Sequence, residues 1–169
     1  MSGAHQRNLR IVGLVLLGGV TVGLVIIRGG GNQCADITRL VAESANAFEH
    51  IQGELIDEAS GEWSTSYLID EDSSCSIFID IEGALYLCEW EHSAASNDGL
   101  TRYDSEVERV TGCLSPVDGR NDSAVNHPDE WVSTRFAIPS GDVTVSRKAK
   151  NERGAVVVTV GVDAEARAG

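Results

Sequence analysis

Hydrophobic and polar positions follow three different patterns along this chain. Residues 11–27 form one continuous apolar run without a charged residue. Further along, apolar residues recur at three- and four-residue steps in two segments, which predicts helices at residues 35–52 and 98–113. Elsewhere they follow the two-residue alternation of strands, at residues 62–69, 75–90, 131–138, 142–147 and 155–162.

These segments predict the order helix, three strands, helix, three strands. Residues 75–90 supply two of the first three strands, as a hairpin that turns around Glu82 and Gly83. We therefore predict an α+β fold, in which an N-terminal transmembrane helix precedes one antiparallel sheet with two helices on one face. This domain spans residues 35–163, and residues 164–169 form a flexible tail.

The apolar run at residues 11–27 predicts where the protein resides. As a helix it reaches about 25 Å, close to the ~30 Å apolar thickness of a bilayer. Arg7 and Arg10 precede it, and a glycine-rich linker at residues 28–34 leads into an acidic chain. The positive-inside rule then predicts a cytoplasmic segment at residues 1–10 and an extracytoplasmic body, periplasmic in a bacterium. A cleaved signal peptide predicts the same compartment, and a buried helix of a soluble protein is the third interpretation.

Four cysteines lie in this predicted body. An even number in an oxidising compartment predicts two disulfides, whereas a metal site would require closer spacing or neighbouring histidines. In the hairpin, a four-residue turn places Cys75 opposite Cys88, and a two-residue turn makes them diagonal neighbours. If the two helices lie antiparallel on the sheet, the start of the first meets the end of the second, which pairs Cys34 with Cys113.

The body is strongly acidic. All 26 acidic residues follow position 31, together with 10 of the 13 basic residues. Such a surface repels phosphates and anionic headgroups, so we expect no nucleic acid partner. The acidity has two explanations, a salt-adapted source or the recruitment of a basic partner.

The sequence carries no catalytic, cofactor or metal signature. It has no serine in a strand–turn–helix nucleophile context, no glycine-rich phosphate loop and no EF-hand spacing. We therefore predict a protein that is not an enzyme and has no cofactor and no metal. The enzymatic alternative is an envelope hydrolase that uses acidic residues near the hairpin, such as Asp80, Glu89 or Glu91.

Aromatic residues suggest where a partner binds. Trp90 belongs to the predicted core face of the hairpin, and Phe78 belongs to the other face. Trp63 and Trp131 each begin a strand, so that they could flank one another at a sheet end as an exposed patch; packing in the core is the alternative.

The prediction for function is a single-pass membrane protein whose domain binds another envelope protein. A structural or assembly subunit is the alternative, and the sequence does not indicate the oligomeric state. Three observations separate the hypotheses. An exposed apolar patch favours binding, a bare edge strand favours assembly, and an acidic cleft containing a carboxylate of raised pKa favours an enzyme.

Overall fold

The computed structural model describes residues 34–114, 121–124 and 130–165. These ranges contain two α-helices and eight strands, and all the strands belong to one antiparallel sheet of order β1-β2-β3-β4-β8-β7-β6-β5. Along the chain the elements are α1 (Ala35–Ser44), β1 (Gln52–Asp57), β2 (Glu62–Thr65), β3 (Ser74–Ile79), β4 (Gly83–Ser93), α2 (Asp98–Cys113), β5 (Asn121–Ala124), β6 (Trp131–Ile138), β7 (Gly141–Lys150) and β8 (Ala155–Glu165).

The predicted order of helix, three strands, helix, three strands is wrong. Each half of the sheet has a fourth strand, β1 in the first half and β5 in the second. The predicted first helix extends to residue 52, but α1 ends at Ser44 and the chain then turns until β1 begins. Phe48 and Ile51 continue the helical spacing of apolar residues, yet both reach the core from these turns, where they are buried.

The turn after α1 is strained. Ala47 has a φ of 51° and Phe48 a φ of 62°, the left-handed region in which the Cβ atom approaches the following carbonyl oxygen. We expect Ala47→Gly to raise the free energy of unfolding by about 0.5–1 kcal/mol, because relief of this contact exceeds the extra entropy of an unfolded glycine. Urea denaturation monitored by tryptophan fluorescence measures the change.

Ala45→Gly is the matched control for this prediction. Ala45 lies two residues away, is exposed and has a helical φ of −63°. Glycine should therefore lower the free energy of unfolding there by about 0.5–1 kcal/mol. Equal destabilisation by the two substitutions would show that the backbone at Ala47 is not strained.

Strands β4 and β8 form the centre of the sheet. They pair over the full length of both strands, from Gly83 opposite Glu165 to Ser93 opposite Ala155. Each half is a meander of successive hairpins, and α2 connects the halves. The central position fits the valine-rich sequence of β8, because its inward residues Val158, Val160 and Val162 lie under the helices and are fully buried.

Both helices pack on one face of the sheet, and the core lies between them and that face. The strands contribute the inward member of each alternating pair, so that residues directly opposite in neighbouring strands stack into rows under the helices. The fully buried core side chains are Ile37, Leu40, Phe48, Ile77, Tyr86, Val110, Phe136, Val143, Val145, Val158, Val160 and Val162.

The helices follow one another along the sheet instead of lying side by side. Ser44, at the end of α1, contacts the β6–β7 turn at one end of the sheet. At the other end, the start of α2 packs closely on β8, where a Cβ at Gly99 would lie 2.7 Å from Val156 Cγ1. The start of α1 and the end of α2 therefore meet between these ends, and the disulfide Cys34–Cys113 joins them. The predicted antiparallel placement of the helices is therefore wrong. The observed end-to-end placement nevertheless brings together the same two helix termini, and so the same two cysteines, as the predicted one.

The second disulfide joins the β3–β4 hairpin. Cys75 lies directly opposite Cys88, with Cα atoms 4.1 Å apart, and a four-residue turn at residues 80–83 connects the last paired residues Ile79 and Ala84. This is the register that the longer of the two predicted turns requires. The two disulfides leave no cysteine free and indicate an oxidising, extracytoplasmic environment.

The described domain is bounded by Cys34 and Glu165. The predicted N-terminal segment at residues 1–10, the predicted anchor at residues 11–27 and all but the last residue of the linker lie outside the described residues. Within the described part of the chain, neither helix has the length and apolar composition that a membrane span needs. At the other end β8 continues to Glu165, so the sheet extends two residues beyond the predicted end of the domain.

Candidate interaction surface

The sheet face opposite the helices is uncovered by any other described element. Near its centre, Phe78 of β3 lies opposite Leu85 of β4, and Leu87 lies opposite Gly161 of β8. A Cβ at Gly161 would lie 3.3 Å from Leu85 Cδ1 and 3.6 Å from Leu87 Cδ1, so both leucines lean over the glycine. Phe78, Leu85 and Leu87 are all partly exposed, and we call them the apolar patch.

A cleft of about 420 Å³ opens beside the apolar patch, at the end of the sheet that carries both the β3–β4 turn and the β6–β7 turn. Phe78 and Leu85 form part of its wall. Five carboxylates and one guanidinium line the rest, which gives the cleft a negative potential. These charged residues are Asp80, Glu82, Asp142, Asp163, Glu165 and Arg135.

Two segments that line the cleft approach one another unusually closely. Gly141 has a φ of 149°, and a Cβ there would lie 2.3 Å from the carbonyl oxygen of Asp163. A residue with a side chain would therefore push β7 away from β8 at this point. The close approach sets Asp142 beside Asp163, and Arg135 Nε lies 3.6 Å from Asp142 Oδ2.

Asp163 lies in the wall of the cleft, and its surroundings perturb its acidity. Burial raises the pKa of Asp163 above its ordinary value of 3.8, the neighbouring charge of Asp142 raises it further, and Arg135 acts in the opposite direction. A group whose folded pKa is raised prefers its protonated form in the folded state. Its ionised form therefore destabilises the fold above the folded pKa, and this effect disappears as the pH falls below 3.8.

We expect Asp163→Asn to raise the free energy of unfolding at neutral pH and to leave it nearly unchanged near pH 3, because the amide mimics the protonated carboxyl. Urea denaturation at both pH values measures the difference. Asp104→Asn is the control, since Asp104 is exposed on α2, and it should change stability by less than about 0.5 kcal/mol at either pH. Equal effects of Asp163→Asn at both pH values would argue against burial as the cause.

Charge is segregated across the sheet. Between Arg39 and Arg102 the chain has 14 acidic residues and no lysine or arginine. This interval includes all of β1–β4, which we call the acidic half, whereas β6, β7 and the start of β8 carry or adjoin the basic side chains. The five exposed large apolar residues of the described chain also lie in this interval: Leu55, Ile56, Leu68, Ile81 and Leu100. Sequence reasoning missed this surface, although the long interval without lysine or arginine was a sufficient signal.

The structure does not bring Trp63 and Trp131 together. Trp63 lies on β2 opposite Ile77, on the helix-bearing face. Trp131 lies on β6, on the other face, where its ring lies 5.0 Å from Lys148 Nζ. Four strands separate β2 from β6, a distance of roughly 24 Å at ~4.8 Å per strand. The predicted aromatic patch at a sheet end therefore does not form.

The acidic residues considered for catalysis are separated. Asp80 lies in the β3–β4 turn, where one carboxylate oxygen accepts the backbone N–H groups of Glu82 and Gly83. Glu89 and Glu91 are exposed along β4, on the face of the apolar patch. In the part of the chain that the structure describes, no three potential metal ligands lie close enough together to hold an ion.

The helix-bearing face holds a second polar network, at the connection between β2 and β3. The Tyr67 hydroxyl donates to Asp36 of α1, and Arg102 of α2 donates to Asp70. Burial and the hydrogen bond to Asp36 raise the pKa of Tyr67, and the Arg102 hydrogen bond lowers the pKa of Asp70. Arg102 also lies over the Trp90 ring, 4.1 Å from its centre. These contacts tie the connection to both helices, which is a structural role.

Comparison of the chain with protein-family models, with curated proteins and with solved structures finds no match. Function is therefore inferred from the surface described above. This surface combines the partly exposed apolar patch, the adjoining acidic cleft and the acidic half, whose strands carry no lysine or arginine.

Proposed function

We propose that this protein is an extracytoplasmic binding domain that holds a basic segment of another envelope protein on the acidic half of its sheet. Attachment to the membrane through residues 11–27 is part of the proposal. The observation that carries it is the apolar patch on the uncovered sheet face, bordered by carboxylates. The two disulfides support the extracytoplasmic location.

The composition of the surface selects the partner. Apolar side chains on the patch gain free energy when a partner removes them from water, and the surrounding carboxylates attract positive charge. Glu82 borders the cleft, and Glu89 projects from β4 beside the patch. A segment that alternates lysine or arginine with apolar residues satisfies both parts of the surface, whereas nucleic acids and anionic membranes are repelled.

A lysine–leucine peptide of about 12 residues provides the probe. The full-length protein, with its disulfides intact and in a neutral detergent, is titrated with the labelled peptide at about 50 mM and about 300 mM salt. The charge-reversal variant Glu82→Lys/Glu89→Lys tests the surface. Glu108→Lys/Glu152→Lys is the matched control, because both residues are exposed, lie outside the surface and give the same change in net charge.

We expect the unaltered protein to bind the peptide and to lose at least about tenfold in affinity at the higher salt concentration. The surface variant should lose about tenfold or more at low salt, and the control less than about threefold. Equal losses in the two variants would mean that net charge alone attracts the peptide. That result, or no binding by the unaltered protein, would refute the proposal.

A second candidate function is hydrolysis of an envelope polysaccharide in the cleft. One observation favours it, the raised pKa of Asp163 beside the carboxylate of Asp142, since pairs of carboxyl groups serve as acid and base in glycosidases. Release of reducing ends from cell-wall polysaccharide by the unaltered protein, and its loss in Asp163→Asn, would support hydrolysis. Absence of release by the unaltered protein would remove this candidate and leave the binding proposal in place.

A further inference from the structure

Strand β1 forms one edge of the sheet. It pairs with β2 on one side, and no described strand lies on its other side. Residues 53–57 are all exposed, and they include Leu55 and Ile56, which are 46% and 58% exposed. The backbone N–H of Glu54 is already bonded on the inner side, where it donates to Ser64 Oγ at 2.8 Å. The outer side of β1 therefore presents backbone groups flanked by exposed apolar side chains.

Exposed edge strands usually carry features that prevent them from pairing with strands of other molecules. Natural sheets protect their edges with lysine, proline, bulges or short strands, because an open edge can pair with any other strand. β1 contains neither lysine nor proline, and its charged residues Glu54 and Asp57 are both acidic. Two register shifts relative to β2 bend the strand and shorten its regular part. The edge is therefore open to a short strand only.

The charge of β1 decides which strand fits. A second copy of β1 would bring the same acidic side chains beside Glu54 and Asp57, and like charges opposite one another destabilise a strand pair. Strands β1 to β4 contribute no lysine or arginine, since none occurs between Arg39 and Arg102. A strand that carries lysine or arginine makes opposite-charge pairs instead. The acidic edge thus disfavours self-pairing and favours a basic strand from a different protein.

We propose that β1 accepts an extended basic segment of the partner, which adds to the sheet as a further antiparallel or parallel strand of about four residues. The proposal rests on the proposed function and adds to it a contact of the same partner at the edge of the acidic half, two strands away from Phe78 of the apolar patch. Backbone hydrogen bonds to β1 supply affinity, and Leu55 and Ile56 contact the apolar side chains of the added segment. The acidic residues of β1 select its lysines or arginines.

Backbone methylation of the lysine–leucine peptide tests this mode. In an added strand every second N–H points toward the edge, so methyl groups on that set of amides block pairing, whereas methyl groups on the alternate set do not. Two peptides with equal numbers of N-methyl groups, one for each set, are therefore matched controls for one another. Hydrogen exchange of the amides at residues 53–57 is followed on full-length protein in neutral detergent with the unmethylated peptide.

We expect one methylated peptide to bind like the parent and the other at least about tenfold more weakly, with slower exchange in β1. If the parent binds but the two methylated peptides bind alike, or exchange in β1 is unchanged, edge addition is refuted and the proposed function stands. If the parent does not bind, both proposals fail. Ile56→Lys places a positive charge, the same sign as that of the peptide, on the edge strand and should weaken binding of the parent peptide. Leu100→Lys on α2 should leave the affinity unchanged.

Discussion

Replacement of Cys34 and Cys113 by alanine should lower the free energy of unfolding by about 4.5 kcal/mol. The bond closes a segment with a sequence separation of 79, and the loop-entropy model assigns a closure of that size roughly this free energy. The bond also holds the start of α1 against the end of α2, two elements that otherwise share few contacts because they follow one another along the sheet. Urea denaturation of the purified protein, with and without the substitutions, measures the loss.

The matched control is replacement of Cys75 and Cys88 by alanine. This bond has a sequence separation of only 13, for which the same model gives about 3 kcal/mol. The paired strands β3 and β4 also stay together through their backbone hydrogen bonds when the bond is removed. A larger loss for this pair than for Cys34 and Cys113 would contradict the assignment of the long-range bond as the principal covalent restraint of the domain.

Replacement of Glu106 by alanine should lower the free energy of unfolding by about 2 kcal/mol, because it removes a buried carboxylate from two partly buried arginines. Glu106 is only 5% exposed, although it is a charged residue of α2. Its carboxylate receives Arg109 Nε at 2.8 Å and approaches Arg102 Nε at 3.2 Å. The substitution should affect Arg109 more than Arg102, because Arg102 keeps its ion pair with Asp70.

Glu108→Ala is the control for this prediction, because Glu108 lies on the same helix and is exposed. It should change the free energy of unfolding by less than about 0.5 kcal/mol. Glu106→Leu separates charge from packing, since it fills the space but does not restore the ion pairs. A stability of Glu106→Ala within error of that of Glu108→Ala would show that water already screens the pair.

Some local features of this protein follow from its sequence. The two-residue alternation in the hairpin correctly placed Trp90 on the core face and Phe78 on the other, since side chains of a strand point alternately to the two faces. The even number of cysteines correctly predicted two disulfides. The spacing of apolar residues did not predict where α1 ends. Phe48 and Ile51 keep helical spacing through a segment that turns, because a core position can be filled from a turn as well as from a helix.

Local sequence patterns predicted six of the eight described strands, the buried face of the hairpin and the acidity of the chain, since these depend on composition and on neighbours within a few residues. The pairing of β4 with β8, the edge position of β1 and the placement of the helices along the sheet are visible only in the folded protein. The same is true of the cleft, which joins Asp80 of one meander to Asp163 of the other. Such contacts join residues far apart along the chain, and no local pattern records which distant strands will pack together.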